Sequence, residues 1–273
     1  MPTSSYRFLC HTCLFVLIAV LSSSCSSNDD GQVLEDESIP FNGVVDFESL
    51  LENAFIDGQD NWRDHEGSGQ AVVSLDATAS NGTQVVEPLL ETALNAPVEL
   101  SRQNDDVFAF PGFTSSDDGH FMQFDLTAEG MALMALGSDA DGDGIVSPAA
   151  GETGPLFGIV DGNFQLQGAG KGQVLQAALG PGDATADWYQ LRLQWVTDSI
   201  DGHMTGSVFY RNLTDQDTEF RQVDGLQDVD LELDSNALLV QSDSWDTVYV
   251  HLQSSGGRTP AMDNLLPHGS SAE

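Results

Sequence analysis

The segment Asp139-Ala-Asp-Gly-Asp-Gly144, followed by Ile145, Val146 and Ser147, holds the sharpest chemical pattern in the 273-residue chain. Three carboxylates fall at alternate positions and a glycine then permits a sharp turn, so oxygen atoms can wrap a hard divalent cation. In calcium-binding loops of this spacing, positions one, three and five supply side chains and position seven a backbone carbonyl. Those positions fall on Asp139, Asp141, Asp143 and Ile145. Position twelve, where a bidentate glutamate belongs, is Ala150; Glu152, two residues on, closes the shell if the loop is longer. Pro148 and Gly151 argue against a flanking helix. The expectation is a structural calcium held by Asp139, Asp141, Asp143, Ile145 and Glu152. The alternative is an Asp/Gly-rich solvated turn, although carboxylates crowded at these spacings repel one another without a cation.

Two further constellations are read from their side-chain periods. Asp228, Asp230, Glu232 and Asp234 alternate with Val229, Leu231 and Leu233, which puts four carboxylates on one face of a strand. That is a solvated strand face or, as the alternative, a source of acid and base groups. Arg192 and Arg211, two of the chain's 8 Lys and Arg residues, lie on two runs that read as a hairpin. In the first run Tyr189, Leu191, Leu193 and Trp195 alternate with Gln190, Arg192 and Gln194, the period of a half-buried strand. Asp201-Gly202 offers a tight turn, and Ser207 to Arg211 returns. With the turn there, Trp195 faces Val208, Leu193 faces Tyr210, Gln194 meets Phe209 and Arg192 meets Arg211. Like charges directly opposite are unfavourable. Carboxylates of the Asp228 to Asp234 strand are expected to compensate them. The other reading is a ligand face of Arg192, Gln194, Phe209 and Arg211, with Gln190 beside them, suited to an acidic or hydroxyl-rich glycan. Trp62, Trp188 and Trp245 are candidate stacking platforms or, more simply, core.

The elements around these groups are short apolar or alternating runs. They include Ala71 to Leu75, Val107 to Phe110, His120 to Leu126, Met131 to Leu136, Phe157 to Val160, Asn163 to Leu166, Val229 to Leu233 and Thr247 to Leu252, with Gly, Asn and Asp between them. Only Val86 to Leu94 and Gln173 to Leu179 read as helical. Many short strands with frequent turn signals predict an all-β fold, a two-sheet antiparallel sandwich of about 230 residues in one domain. The histidines are scattered without ligand spacing, and no serine-centred elbow, phosphate loop or zinc pattern is present.

Asp46-Phe-Glu48 with Asp57-Gly-Gln-Asp-Asn-Trp62 resembles the opening of jelly-roll modules, and Ala261-Met-Asp-Asn-Leu265 resembles their closing strand. The Trp188 to Arg211 hairpin resembles the late strand pair of concanavalin A-like (laminin-G-like) lectin and glucanase domains. The resemblance implies a β-sandwich, often calcium-dependent and often carbohydrate-binding, on secreted or cell-surface proteins. It also implies a second metal candidate, Glu48 with Asp263, because the first and last strands of such modules lie side by side. Glucanases of this fold carry their catalytic pair as Glu-apolar-Asp-apolar-Glu. Here that pattern falls on Asp228, Asp230 and Glu232, with Asp in the first place. Retaining hydrolysis needs carboxyls about 5 Å apart, whereas same-face neighbours on a strand stand about 7 Å apart; spacing alone does not reject an enzyme, but Asp in the first place and the acidic surroundings make the solvated face the preferred reading.

Met1 to Ser24 carries Arg7 and the apolar run Leu14 to Leu21, which is the layout of a secretory signal and too short to span a bilayer. Cys25 follows three serines and precedes a polar stretch, an arrangement similar to the lipobox of bacterial lipoproteins. Ser22 departs from it where leucine is usual. All three cysteines lie at or before position 25, so lipidation of Cys25 gives the last one a role, while an ordinary signal cut nearby is the alternative. The expected layout is a signal at 1–24, a flexible acidic tether at 25–40, the sandwich at 41–267 and a polar tail at 268–273. A net charge of −35 repels nucleic acid and anionic lipid, so neither is an expected partner. The expectation is an exported, non-catalytic protein of the bacterial envelope, anchored by lipid at Cys25 in the outer membrane. It would bind polysaccharide or another surface polymer; a polysaccharide-degrading enzyme and a purely structural envelope protein are the alternatives.

Overall fold

The computed structural model describes residues 47–76, 84–89, 96–104, 120–168, 173–197, 204–231 and 245–270, with side chains through Pro267. All belong to one compact unit, Ile39–Glu273. Fifteen strands form two antiparallel sheets, and no helix occurs among the described residues. In chain order they are β1 (Trp62–Asp64), β2 (Ala71–Leu75), β3 (Gln84–Pro88), β4 (Val98–Gln103), β5 (His120–Thr127), β6 (Met131–Gly137), β7 (Leu156–Val160) and β8 (Asn163–Gln167). Then follow β9 (Val174–Ala178), β10 (Trp188–Thr197), β11 (Met204–Asn212), β12 (Arg221–Gln222), β13 (Val229–Asp230), β14 (Thr247–Gln253) and β15 (Met262–Ser270). The seven-stranded sheet runs β1-β4-β14-β6-β7-β8-β9. The eight-stranded sheet runs β12-β11-β10-β5-β15-β3-β2, with β13 also paired to β11.

Alternation builds the core between the sheets. From the eight-stranded sheet come Met122, Phe124 and Leu126 of β5, Tyr189, Leu191, Leu193 and Trp195 of β10, and Val208 and Tyr210 of β11. They meet Met134 and Leu136 of β6, Phe157 and Ile159 of β7, Phe164 and Leu166 of β8, and Val248 and Val250 of β14. Ring pairs bridge the layers: Phe124 with Phe157 at 5.0 Å between centroids, Phe164 with Tyr210 at 4.7 Å, and Trp195 with Trp245 at 6.2 Å. The apolar run of β6 is explained by burial on both faces. Its outward Leu133 and Ala135 are covered with Val146, Leu156 and Tyr249.

Three expectations are corrected. Val86 to Leu94 does not begin a helix: Val86 lies in β3, paired with Val73 of β2 and Met262 of β15, and 90–94 lie outside the described residues. Gln173 to Leu179 holds strand β9 on β8. Its apolar Leu175, Ala177 and Leu179 pack on the core at period two, and edge pairing overrides helix propensity. The β10–β11 register differs by two residues from the expected one: Leu193 faces Val208, Leu191 faces Tyr210, and Trp195 faces Gly206. An even shift leaves every side chain on its expected face. It also separates the arginines, since Arg192 is opposite Phe209 and Arg211 is opposite Gln190. Asp201-Gly202 and Val107 to Phe110 lie outside the described residues.

Candidate functional sites

The loop from β6 to β7 is closed at its neck. Gly137 and Thr153 form an antiparallel bridge. Ser138 N–H donates to the Glu152 carbonyl at 3.0 Å, and Gly154 N–H to the Leu136 carbonyl at 2.6 Å. This pairing sets Glu152 beside the start of the loop. A turn in which Glu152 N–H donates to the Ser147 carbonyl at 3.1 Å absorbs the two extra residues. Asp139, Asp141 and Glu152 thereby bring carboxylate oxygens within 4.8 Å of one another. Asp139 is fixed by backbone donors: Gly142 and Asp143 N–H on Oδ1 at 2.8 and 3.1 Å, and Gly144 N–H on Oδ2 at 2.7 Å. Glu152 is 2% exposed. Its Oε2 accepts the Ser147 N–H at 3.1 Å, while its buried Oε1 has no hydrogen-bond partner.

Burial, followed by the charges of Asp141 and Asp139, pushes the Glu152 carboxyl above the ordinary glutamate range. An unpaired buried carboxylate oxygen is costly, and a cation among three hard oxygen donors would satisfy it. The donor set fits a hard divalent ion. Of the five expected ligands, the structure brings Asp139, Asp141 and Glu152 together. Asp143 Oδ1 instead accepts the Ile145 N–H at 2.9 Å. Beyond Ile145, Val146 packs on the outer face of the seven-stranded sheet, where its N–H donates to Ser101 Oγ at 3.1 Å.

The outer face of the eight-stranded sheet carries the second constellation. Residues directly opposite on neighbouring strands share a face, so its side chains form rows across β11, β10, β5 and β15. One row is Arg211, Gln190, Asp125 and Asp263; the next is Phe209, Arg192 and Gln123; a third is Ser207, Gln194 and Phe121. Arg192 donates from Nε and Nη2 to Gln123 Oε1 at 3.1 and 2.8 Å. Its guanidinium carbon stands 4.1 Å from the Phe121 ring centre and 4.2 Å from that of Phe220. Arg211 shares the Phe220 ring at 5.0 Å and donates from Nη1 to the Thr218 carbonyl at 3.2 Å. Burial, then the neighbouring Arg211 charge, lowers the Arg192 pKa. Thus Arg192, Gln194, Phe209 and Arg211 do share one surface, and Phe121 and Phe220 join them.

At the other end of the first row Asp125 and Asp263 are buried side by side. Gln190 Nε2 donates to Asp125 Oδ1 at 2.8 Å. Asn264 Nδ2 donates to Asp125 Oδ2 at 2.9 Å and to Asp263 Oδ2 at 3.1 Å. Asn264 has φ 48°, in the left-handed region, where the β15 register shifts. The cluster therefore clamps a bulge in that strand. Burial raises the Asp125 pKa against these hydrogen bonds. Asp263 accordingly sits with Asp125, whereas Glu48 is exposed and its Oε1 accepts the Gln84 N–H at 2.7 Å.

Asp228 and Asp230 are exposed around the two-residue strand β13, with Asp228 N–H on Ser207 Oγ at 2.9 Å. Glu232 and Cys25 lie outside the described residues. Trp62, Trp188 and Trp245 are core, each at most 1% exposed. A further polar cluster escaped the sequence reading. Glu99 meets His65 Nδ1 at 3.5 Å, His251 Nδ1 at 3.4 Å and the Tyr249 hydroxyl at 2.9 Å on the outer face of the seven-stranded sheet. Cross-strand pairing of β4 with β14 makes it, and a linear spacing pattern has no signal for that.

The coordinates define a two-sheet, jelly-roll-type β-sandwich protein. Among solved structures it is similar to arcelin-5, a lectin-like defense protein from Phaseolus vulgaris (11% identity, 80% of this chain and 95% of that one, TM-score 0.44). It is also similar to peanut lectin with a bound 9mer peptide (14%, 80% and 95%, 0.42) and to lectin II from Ulex europaeus (11%, 81% and 97%, 0.42). No protein-family model and no curated protein matches the chain. Fold likeness leaves function to be argued from the side chains.

Proposed function

We propose that the chain is a non-catalytic, lipid-anchored protein of the bacterial envelope that binds polysaccharide or another surface polymer on the outer face of its eight-stranded sheet. The observation that carries this reading is the clustering there of Arg192, Arg211, Gln194, Phe209, Phe121 and Phe220. Planar rings and multidentate polar groups on one sheet face suit the apolar faces and hydroxyl edges of sugars. Exposure of Asp228 and Asp230 at the two-residue strand β13 favours binding over the hydrolase alternative. Calcium is the proposed ion for Asp139, Asp141 and Glu152, where it would stiffen the loop that packs through Val146 against the sheet. Lipid on Cys25 and export to the outer membrane complete the proposal.

Polysaccharide pull-down with the full-length chain tests the binding. Retention on at least one insoluble glycan, reduced by Phe209→Ala, is expected; no retention on any would overturn it. For the anchor, Cys25→Ser is expected to move the protein from the membrane to the soluble fraction.

A further inference from the structure

We propose that the polymer is acidic, carrying carboxylate or sulfate groups, and that Arg192 and Arg211 are the pair that reads them. This rests on the proposed glycan-binding face and names its ligand class. The chain has 43 Asp and Glu against 8 Lys and Arg, so an arginine without a carboxylate partner is unexpected. Arg102 follows expectation, with Asp60 at 2.9 Å, as does Arg221 with Asp217. Arg192 and Arg211 do not: their described hydrogen bonds go to the Gln123 amide and the Thr218 carbonyl, both neutral. The exposed Arg258 likewise donates to a neutral group, Thr185 Oγ1 at 2.8 Å, so what sets this pair apart is that two arginines share one sheet face. Arg211 Nε is buried and has no hydrogen-bond partner. The nearby buried Asp125 feels the Arg211 charge, but its oxygens accept their described hydrogen bonds from Gln190 and Asn264.

Two like charges are therefore held together on one face, at a diagonal spacing of about 7 to 8 Å. The Phe121 and Phe220 rings support the guanidiniums by cation–π contact and by exclusion of water, which lowers the local dielectric. Among the described residues Arg192 Nη1 and Arg211 Nη2 make no hydrogen bond, which leaves N–H groups for an anion. The guanidinium fork matches carboxylate and sulfate oxygens. Asp125 offsets part of the repulsion between the two arginines; an acidic glycan would offset more of it, whereas a neutral one would not. The chain's net negative charge acts against a polyanion at long range. At about 1 M salt the screening length falls to about 3 Å, so contacts at the arginine pair then outweigh that field.

The test measures binding of the full-length chain to alginate (a polyuronate), carrageenan (a sulfated galactan) and laminarin (a neutral glucan) by affinity electrophoresis at fixed ionic strength. Alginate or carrageenan is expected to bind, and Arg211→Gln is expected to weaken that binding about tenfold or more, the size of one lost charge-assisted hydrogen bond. Arg192→Gln should do the same, and Arg211→Lys should retain part of the affinity. Melting temperature is recorded for each variant. If Arg192→Gln fails to fold, Arg211→Gln, whose guanidinium contacts lie nearer the sheet edge, carries the test. Binding of laminarin alone would overturn the acidic-ligand inference and leave the glycan-binding reading intact. Binding of none would overturn the acidic-ligand inference, and the pull-down above would then decide the glycan-binding reading separately. Unchanged alginate and carrageenan binding in a folded Arg211→Gln protein would remove the arginine pair.

Discussion

Replacing Glu152 with glutamine changes the acidic loop by one charge at nearly constant shape. In chelator, the wild-type protein holds three carboxylates whose oxygens lie within 4.8 Å, one of them with a buried oxygen lacking a partner. Calcium at about one hundred times its dissociation constant would add about 2.7 kcal/mol to folding stability. For a domain of this size each kcal/mol moves the melting temperature by about 2 to 4 °C, so the calcium-dependent shift should be about 5 to 11 °C. Glu152→Gln retains an oxygen for the Ser147 N–H and removes the repulsion with Asp139 and Asp141. It should melt in chelator at or above the wild-type temperature, and its calcium shift should fall below about 2 °C, because one of the three carboxylates that would hold the ion is gone. Scanning calorimetry of both proteins in chelator and across a calcium titration makes the comparison, with magnesium as the smaller, octahedral control. A wild-type melt that calcium and chelator leave unmoved would refute the metal argument. So would a Glu152→Gln protein that keeps the full shift.

The core and the second sheet give three further expectations. Trp195→Ala, at a site 3% exposed and in contact with Trp245, should cost about 3 to 5 kcal/mol in urea unfolding. Gly158→Ala places a methyl group against the Ala132 backbone carbonyl of the paired strand, so a loss of at least about 2 kcal/mol is expected. Hydrogen bonds from His251, then His65, hold the Glu99 carboxyl below the ordinary range of about 4.3. A depressed carboxyl contributes stability above its unfolded pKa and loses it as pH falls toward the folded one. Glu99→Gln should therefore melt below wild type at pH 7, with the gap closing below about pH 4; a gap constant across pH 7 to 3 would count against the network.

Legibility followed range in sequence. Period two in Tyr189 to Trp195 marked the inward face of β10 because alternation is local. The register was misplaced by two because it hung on Asp201-Gly202 as the turn, and an even slip leaves the hydrophobic pattern unchanged. Glu152 was found because the whole acidic loop spans few residues. Phe121 was missed because the pairing of β5 with β10 brings it to Arg192 from far away in the chain, and Phe220 because it lies outside any strand, in the segment after β11. Asp125 and Asn264 are likewise 139 positions apart yet hydrogen-bonded, so neither residue's surroundings in the chain foretell the clamp. Gln173 to Leu179 misled because a short run of helix formers carries little weight against an open sheet edge.

The order of the strands has a consequence for how the chain folds as it is made. Strands β14 and β15 come late in synthesis yet occupy interior places, β14 between β4 and β6 and β15 between β5 and β3. A partly synthesised polypeptide therefore has neither sheet complete, and its unfilled lanes expose backbone donors and acceptors. Both layers can therefore close only once β14 and β15 have been made, and they close together.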